Sequence, residues 1–284
     1  MEIKSIGIIG SGIMGHGIAQ VAATAGITVK LNDISNDVLQ KAWGNIDKTL
    51  DKGIIKGKIK QDDKAAILRR IFLECDFKNA VEDVDLVVEA VPEDIELKNQ
   101  IFKKLEKFTR PCAILATNTS QYSITEIAKV VSDSSRVIGM HWFNPPVIMK
   151  LIEIVRALDT SDAVVESVRS FAAKVGKESV VCKDSTGFIS TRVLLALRLE
   201  CYRLLEEGVA SKEDIDKTLK LAFGHPMGQF ELADFSGLDI EVPSCESLTK
   251  VFGDRFRPPK ALLEMVKAGR FGRKTGSGWY EYNN

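Results

Sequence analysis

The chain has 284 residues, with 39 basic and 39 acidic side chains and 45% hydrophobic content, enough for one large domain or two ordinary ones. Balanced charge gives no electrostatic reason to expect a nucleic acid or a membrane surface as partner. Its five cysteines are scattered and odd in number, so neither a disulfide framework nor a metal centre is expected and a reducing, cytoplasmic setting fits.

The N-terminus runs straight into a folded motif, so no leader peptide is expected, and no apolar run is long enough to span a bilayer. Strand-like runs fall at 5–9, 28–31, 86–89, 113–116, 137–140, 151–155 and 179–182, with helical stretches at 13–25, 36–52, 95–108 and 161–175 between them. That alternation is the signature of βαβ units around a parallel sheet. Past Ser185 the pattern changes. A long helix is expected over 187–208, carrying apolar Phe188, Val193, Leu194, Leu197, Leu204 and Leu205. A capping box at Ser211–Asp214 opens another. The expected fold is α/β, a Rossmann-type dinucleotide-binding domain over 1–185 followed by an all-α domain over 186–284.

Gly10, Gly12 and Gly15 form a GxGxxG pattern between the first strand and the first helix. Gly10 permits the tight turn, Gly12 lets backbone approach a pyrophosphate, and Gly15 lets the helix pack closely. The helix N-terminus then faces the phosphates. Asp33 ends the second strand at the expected distance. It either accepts from the adenosine ribose hydroxyls or caps the next helix. No Arg or Lys follows it to receive a 2′-phosphate, which favours NAD over NADP.

Of three histidines, His16 lies in the glycine turn's helix and His225 in a turn with no acidic neighbour. His141 stands at the end of a strand, where open α/β sheets place their ligands, and imidazole suits a base at neutral pH. Glu153, inside an apolar strand reached through Pro145 and Pro146, either partners His141 or faces solvent at a sheet edge.

Taken together, GSGIMGHGIAQ from Gly10, DLVVEAVPED from Asp85, ATNTS from Ala116, GMHWFNPP from Gly139, MKLIEIV from Met149, KDSTGFI from Lys183, HPMGQFELADFSGLD from His225 and FGRKTGSGWYEY from Phe271 resemble the 3-hydroxyacyl-CoA dehydrogenase family, including its bacterial 3-hydroxybutyryl-CoA members. The resemblance implies NAD-dependent oxidation of an (S)-3-hydroxyacyl-CoA, with acetoacetyl-CoA reduced in reverse, and a homodimer formed by the helical domain. It makes His141 the base and Glu153 its partner. Ser120 holds the substrate's 3-oxygen, and Asn144 lies near substrate and cofactor. Ile13, Met14, Ala90, Glu93, Lys98 and Lys274 join the cofactor contacts.

A helical hairpin at about 36–60 resembles the family's CoA arm, with Thr49, Lys52 and Lys56 as contacts; a solvated helix face is the alternative for any one lysine. Three positions depart from the family pattern. Thr191 replaces an active-site asparagine and offers one hydroxyl where an amide offers two donors. Trp142 stands for Phe, and Gln121 for a second serine. Two other readings remain at this point: a same-fold dehydrogenase of a free hydroxy acid or sugar acid, and a non-catalytic NAD-binding protein.

Overall fold

Short apolar runs become strands because a sheet covered on both faces by helices buries every side chain along them. The computed structural model describes residues 1–282, which divide into two units, residues 1–185 and residues 186–282.

In the first unit, β1 (Ser5–Ile9) leads through the glycine turn into α1 (Ile13–Thr24). Then come β2 (Thr28–Asn32), α2 (Asn36–Ile55), α3 (Asp63–Leu68), β3 (Ile71–Glu74), α4 (Phe77–Val81) and β4 (Leu86–Glu89). After them follow α5 (Ile95–Phe108), β5 (Ile114–Thr117), α6 (Ile124–Ala128), β6 (Val137–Trp142), β7 (Leu151–Arg156), α7 (Asp162–Lys174) and β8 (Glu178–Lys183). The eight strands form one sheet in the order β3-β2-β1-β4-β5-β6-β7-β8. All neighbours are parallel except β6 and β7, which run antiparallel.

Side chains cap the main helices as their sequences require: Ser35 accepts from the Val38 N–H, Asp94 from Leu97 and Ser161 from Val164. The apolar stripe of α5, Ile101, Phe102 and Leu105, is buried, which commits that helix to the sheet. Chain order reverses between β1 and β4, so the crevice for a ligand lies beyond the carboxyl ends of these strands.

Four short elements escape the sequence reading. β3 is an edge strand of four residues, held by its pairing with β2 from Val29–Ile71 to Asn32–Glu74. Helices α3, α4 and α6 are each a turn or so long, below the length at which periodicity shows. The hairpin also differs in detail. Residues 49–60 cover the end of α2 and the turn after it, and the returning helix is α3.

The second unit contains α8 (Ser190–Glu206), α9 (Lys212–Phe223), α10 (Gln229–Ser236), α11 (Leu238–Phe252) and α12 (Lys260–Lys267). The Ser211 hydroxyl accepts from the Asp214 N–H to start α9. The buried stripe of α8 is Leu195, Arg198, Leu199 and Tyr202, while Val193 is exposed. Tyr202, Phe230 and Trp279 pack ring to ring, with centroids 4.8 to 5.3 Å apart. Asp234 ties the tail down by accepting from the N–H groups of Trp279 and Tyr280 and from the Tyr282 hydroxyl. Among the described residues no helix is long and apolar enough to cross a membrane.

Candidate active site

The glycine turn is built by backbone contact. Gly10 has φ +96°, and a Cβ there would lie 2.7 Å from the Ala90 carbonyl oxygen. A Cβ on Gly15 would lie 1.8 Å from the Gly10 carbonyl oxygen. Gly12 is the opposite case: nothing lies within 4 Å of where its Cβ would be. Gly12, the N-cap of α1, has no side chain to cap its first turn, so the first N–H groups and the positive end of the helix dipole suit an anion. An anionic diphosphate fits that opening.

Asp33 follows β2 and holds the turn in place. Its Oδ2 accepts from the Ser11 N–H and hydroxyl, each at 2.7 Å, and its Oδ1 accepts from the Ile34 N–H at 2.8 Å. The cap of α2 is Ser35, so Asp33 does not serve that purpose. A carboxylate oxygen accepts more than one bond, and Asp33 can also take a ribose hydroxyl. An open approach over Gly12, an uncapped helix start and an oriented acid together suit NAD.

A second cluster lies beyond β4 and β5. Glu93, in the loop after β4, accepts at Oε1 from the Ser120 N–H at 2.7 Å and the Ser120 hydroxyl at 3.2 Å. The Thr119 hydroxyl also reaches Glu93. Lys98 on α5 is 1% exposed, with its ammonium 2.8 Å from Glu89 and 3.4 Å from Glu93. Its place is therefore inside the protein, behind Glu93. Glu89 and Thr117 were missed from the sequence. Glu89 carries the signal that singles out Glu153, a carboxylate within an apolar strand.

His141 and Glu153 face each other directly across β6 and β7. Nδ1 stands 2.8 Å from Oε2, and both residues are buried. A carboxylate only accepts, so Nδ1 donates and the neutral ring keeps its lone pair on Nε2. The alternative of Glu153 at a solvated edge is excluded, since β8 covers β7 on its far side. Cys182, on β8, registers the carboxylate: burial, then the Glu153 and Asp184 charges, push its thiol up to about 11.

Neighbouring contacts brace the pair. The Asn118 side chain accepts from the Trp142 N–H at 2.9 Å, tying the end of β5 to that of β6. The His141 and Phe143 rings lie 4.7 Å apart. Pro146, in the loop joining β6 to β7, rests on α1 at Gly17, where a Cβ would approach it to 2.9 Å.

Other expected residues lie elsewhere. Asn144 is exposed in that same loop, before a cis peptide to Pro145. Thr191 and Lys274 belong to the second unit, where Lys274 pairs with Asp239. On α2 and the turn after it, Lys52 and Lys56 are exposed, and the Thr49 hydroxyl donates to the Asn45 carbonyl.

Residues 5–185 match the family model of the 3-hydroxyacyl-CoA dehydrogenase NAD binding domain, and residues 187–282 that of the family's C-terminal domain. The chain is 42% identical to a probable 3-hydroxybutyryl-CoA dehydrogenase of Bacillus subtilis, covering 99% of this chain and 98% of that protein. It is 41% identical to the mitochondrial hydroxyacyl-coenzyme A dehydrogenase of Sus scrofa, covering 99% and 91%. The crystal structure of the (S)-3-hydroxybutyryl-CoA dehydrogenase of Ralstonia eutropha superposes with a TM-score of 0.96 at 40% identity, covering both chains completely.

Proposed function

Because the chain belongs to the 3-hydroxyacyl-CoA dehydrogenase family, NAD-dependent oxidoreductases acting on a CH–OH group, we propose that it interconverts (S)-3-hydroxyacyl-CoA and 3-oxoacyl-CoA thioesters of short chain, with His141 as the base. The observation that carries this reading is the buried pair of His141 and Glu153 at 2.8 Å.

In the oxidative direction His141 Nε2 takes the proton of the 3-hydroxyl group. Glu153 fixes the tautomer and stabilises the imidazolium that results. Ser120 holds the oxygen in line, with Asn144 as a further polar partner. Bound NAD supplies the acceptor for the hydride that leaves C3. In reduction the imidazolium returns its proton to the developing alkoxide, so acetoacetyl-CoA becomes 3-hydroxybutyryl-CoA. A base placed in this way contributes roughly 10²- to 10⁴-fold in rate.

Thr49, Lys52 and Lys56 are proposed to meet the nucleotide end of CoA, where exposed ammonium groups attract phosphate. Gly10, Gly12, Ile13, Met14, Gly15, Asp33, Ala90 and Glu93 are proposed to line the NAD site, with Lys98 behind Glu93. Exposed Leu221, Phe223 and Ile240 on that unit support a homodimer, and the bacterial relatives support a cytoplasmic setting.

The test is acetoacetyl-CoA reduction followed by nicotinamide absorbance, with NADH, NADPH and CoA-free acetoacetate in parallel, for the wild type and His141→Gln. Turnover with NADH and the thioester, lost in the variant while NADH still binds, is the expected result. Equal turnover of free acetoacetate would favour the free-acid reading, and an active His141→Gln enzyme would remove the base.

A further inference from the structure

Glu89 takes no part in the chemistry above, yet it is completely buried at the carboxyl end of β4. Burying a carboxylate is costly unless charge and hydrogen bonds answer it. Here the Lys98 ammonium lies at 2.8 Å, the Val91 N–H donates at 2.8 Å and the Thr117 hydroxyl donates at 2.6 Å. An apolar residue would fill the strand position without any of them.

The charge makes sense through Lys98. Its ammonium stands between two carboxylates, Glu89 at 2.8 Å and Glu93 at 3.4 Å. Glu93 in turn grips Ser120 by both its N–H and its hydroxyl. An unbroken chain of polar contacts therefore runs from the buried strand end to the serine. We infer that Glu89 is a positioning residue of the dehydrogenase reaction, acting through Lys98 and Glu93 to fix Ser120 where the substrate's 3-oxygen must be met.

This rests on the role given to Ser120 above. The serine hydroxyl has a single proton, so it can turn from Glu93 to a substrate oxygen. The N–H bond to Glu93 meanwhile keeps the backbone in place. Glu89 holds Lys98 on its far side, so that Glu93 is shared between the ammonium and Ser120. Without Glu89 the ammonium is no longer held in place, and without the ammonium Glu93 loses its anchor; either change loosens the grip on Ser120.

Glu89→Gln keeps the size of the side chain and removes its charge. Because that leaves an ammonium buried beside one carboxylate, the double variant Glu89→Gln with Lys98→Met is measured alongside it; removing both charges of a buried pair relieves the folding penalty. In both variants kcat for acetoacetyl-CoA reduction falls about 10- to 100-fold, the scale of a reacting group misplaced by an ångström. In Glu89→Gln, which leaves every proposed cofactor contact in place, KM for NADH changes by less than about threefold. Amide hydrogen exchange of the segment from Asn118 to Tyr122 accelerates in both, and the double variant recovers the thermal midpoint of the wild type.

A double variant that recovers wild-type kcat along with its stability would assign Glu89 a structural role only and overturn the inference. So would unchanged exchange at that segment in Glu89→Gln. Exchange does not depend on which substrate is turned over. A wild type inactive toward acetoacetyl-CoA would therefore defeat the proposed substrate, while the exchange comparison still decides on Glu89.

Discussion

His141 and Glu153 are register partners on antiparallel strands, and their side chains meet across the ladder at 2.8 Å. A one-residue slip between the strands would send one side chain to the other face of the sheet, so the pair is only as exact as the register. Glu153→Gln keeps the shape and can still accept through its amide oxygen, but loses the charge that stabilises an imidazolium. Its kcat for acetoacetyl-CoA reduction is expected to fall by roughly 10²- to 10⁴-fold, with a much smaller change in KM. A loss under twofold in steady-state kinetics would exclude Glu153 from the mechanism.

Two glycines of the same turn should fail in different ways. Gly15→Ala places a methyl group against the Gly10 carbonyl oxygen, an overpacking expected to cost about 1–3 kcal/mol and to show as a lower denaturation midpoint. Gly12→Ala meets no protein atom within 4 Å and should fold normally, yet bind NADH about tenfold more weakly, near 1.4 kcal/mol. Thermal melts and NADH fluorescence titrations of the two variants separate these effects; normal affinity in Gly12→Ala would move the pyrophosphate elsewhere.

Thiol reactivity should follow burial. Burial is the first cause pushing Cys182 and Cys201 up to about 11 and Cys245 up to about 12, while Cys75 and Cys112 are exposed. At pH 8 a group near 11 is thiolate on the order of one part in a thousand. Iodoacetamide followed by peptide mass spectrometry should therefore find Cys75 and Cys112 modified first. Since the Glu153 charge also raises Cys182, Glu153→Gln should speed labelling at Cys182.

Acid should weaken the first unit through Asp85. Burial pushes this carboxyl upward, but the N–H groups of Lys4 and Ser5, the Arg110 guanidinium and the Ser5 hydroxyl outweigh it and hold it below the ordinary range. A lowered value in the folded state means the stabilisation is present above the unfolded value, about 3.9, and is lost as pH falls through the folded one. Asp85→Asn should cost up to about 1 kcal/mol at pH 7, solvent screening allowed for. In urea titrations the gap to wild type should narrow as pH falls below the unfolded value.

Features written in a few neighbouring residues were legible in the sequence. Gly10, Gly12 and Gly15 with Asp33 announce the dinucleotide turn, and Leu86-Val87-Val88 reads as a strand because burial on both faces leaves a continuous apolar run. The sequence also supplies both strands that bear His141 and Glu153, but not their register, which depends on pairing between chain segments. β3 has too few residues for a period and exists through its neighbour. Glu89 carries the local signal of a carboxylate in an apolar strand, but its role was hidden because its partners Lys98 and Thr117 come from other elements. Ser120 and Glu93 were reached through family resemblance, and the structure adds the contact between them.

The reversal of direction between β6 and β7 has a consequence for how the protein is put together. His141 and Glu153 lie only 12 residues apart in sequence, on the two arms of one hairpin. Parallel neighbours must wait for a long crossover to be threaded before they meet, whereas a hairpin closes locally and fast. The pair therefore forms a single heritable cassette: chain ends relocated by circular permutation to any loop outside it would leave both groups on the same uninterrupted stretch of polypeptide.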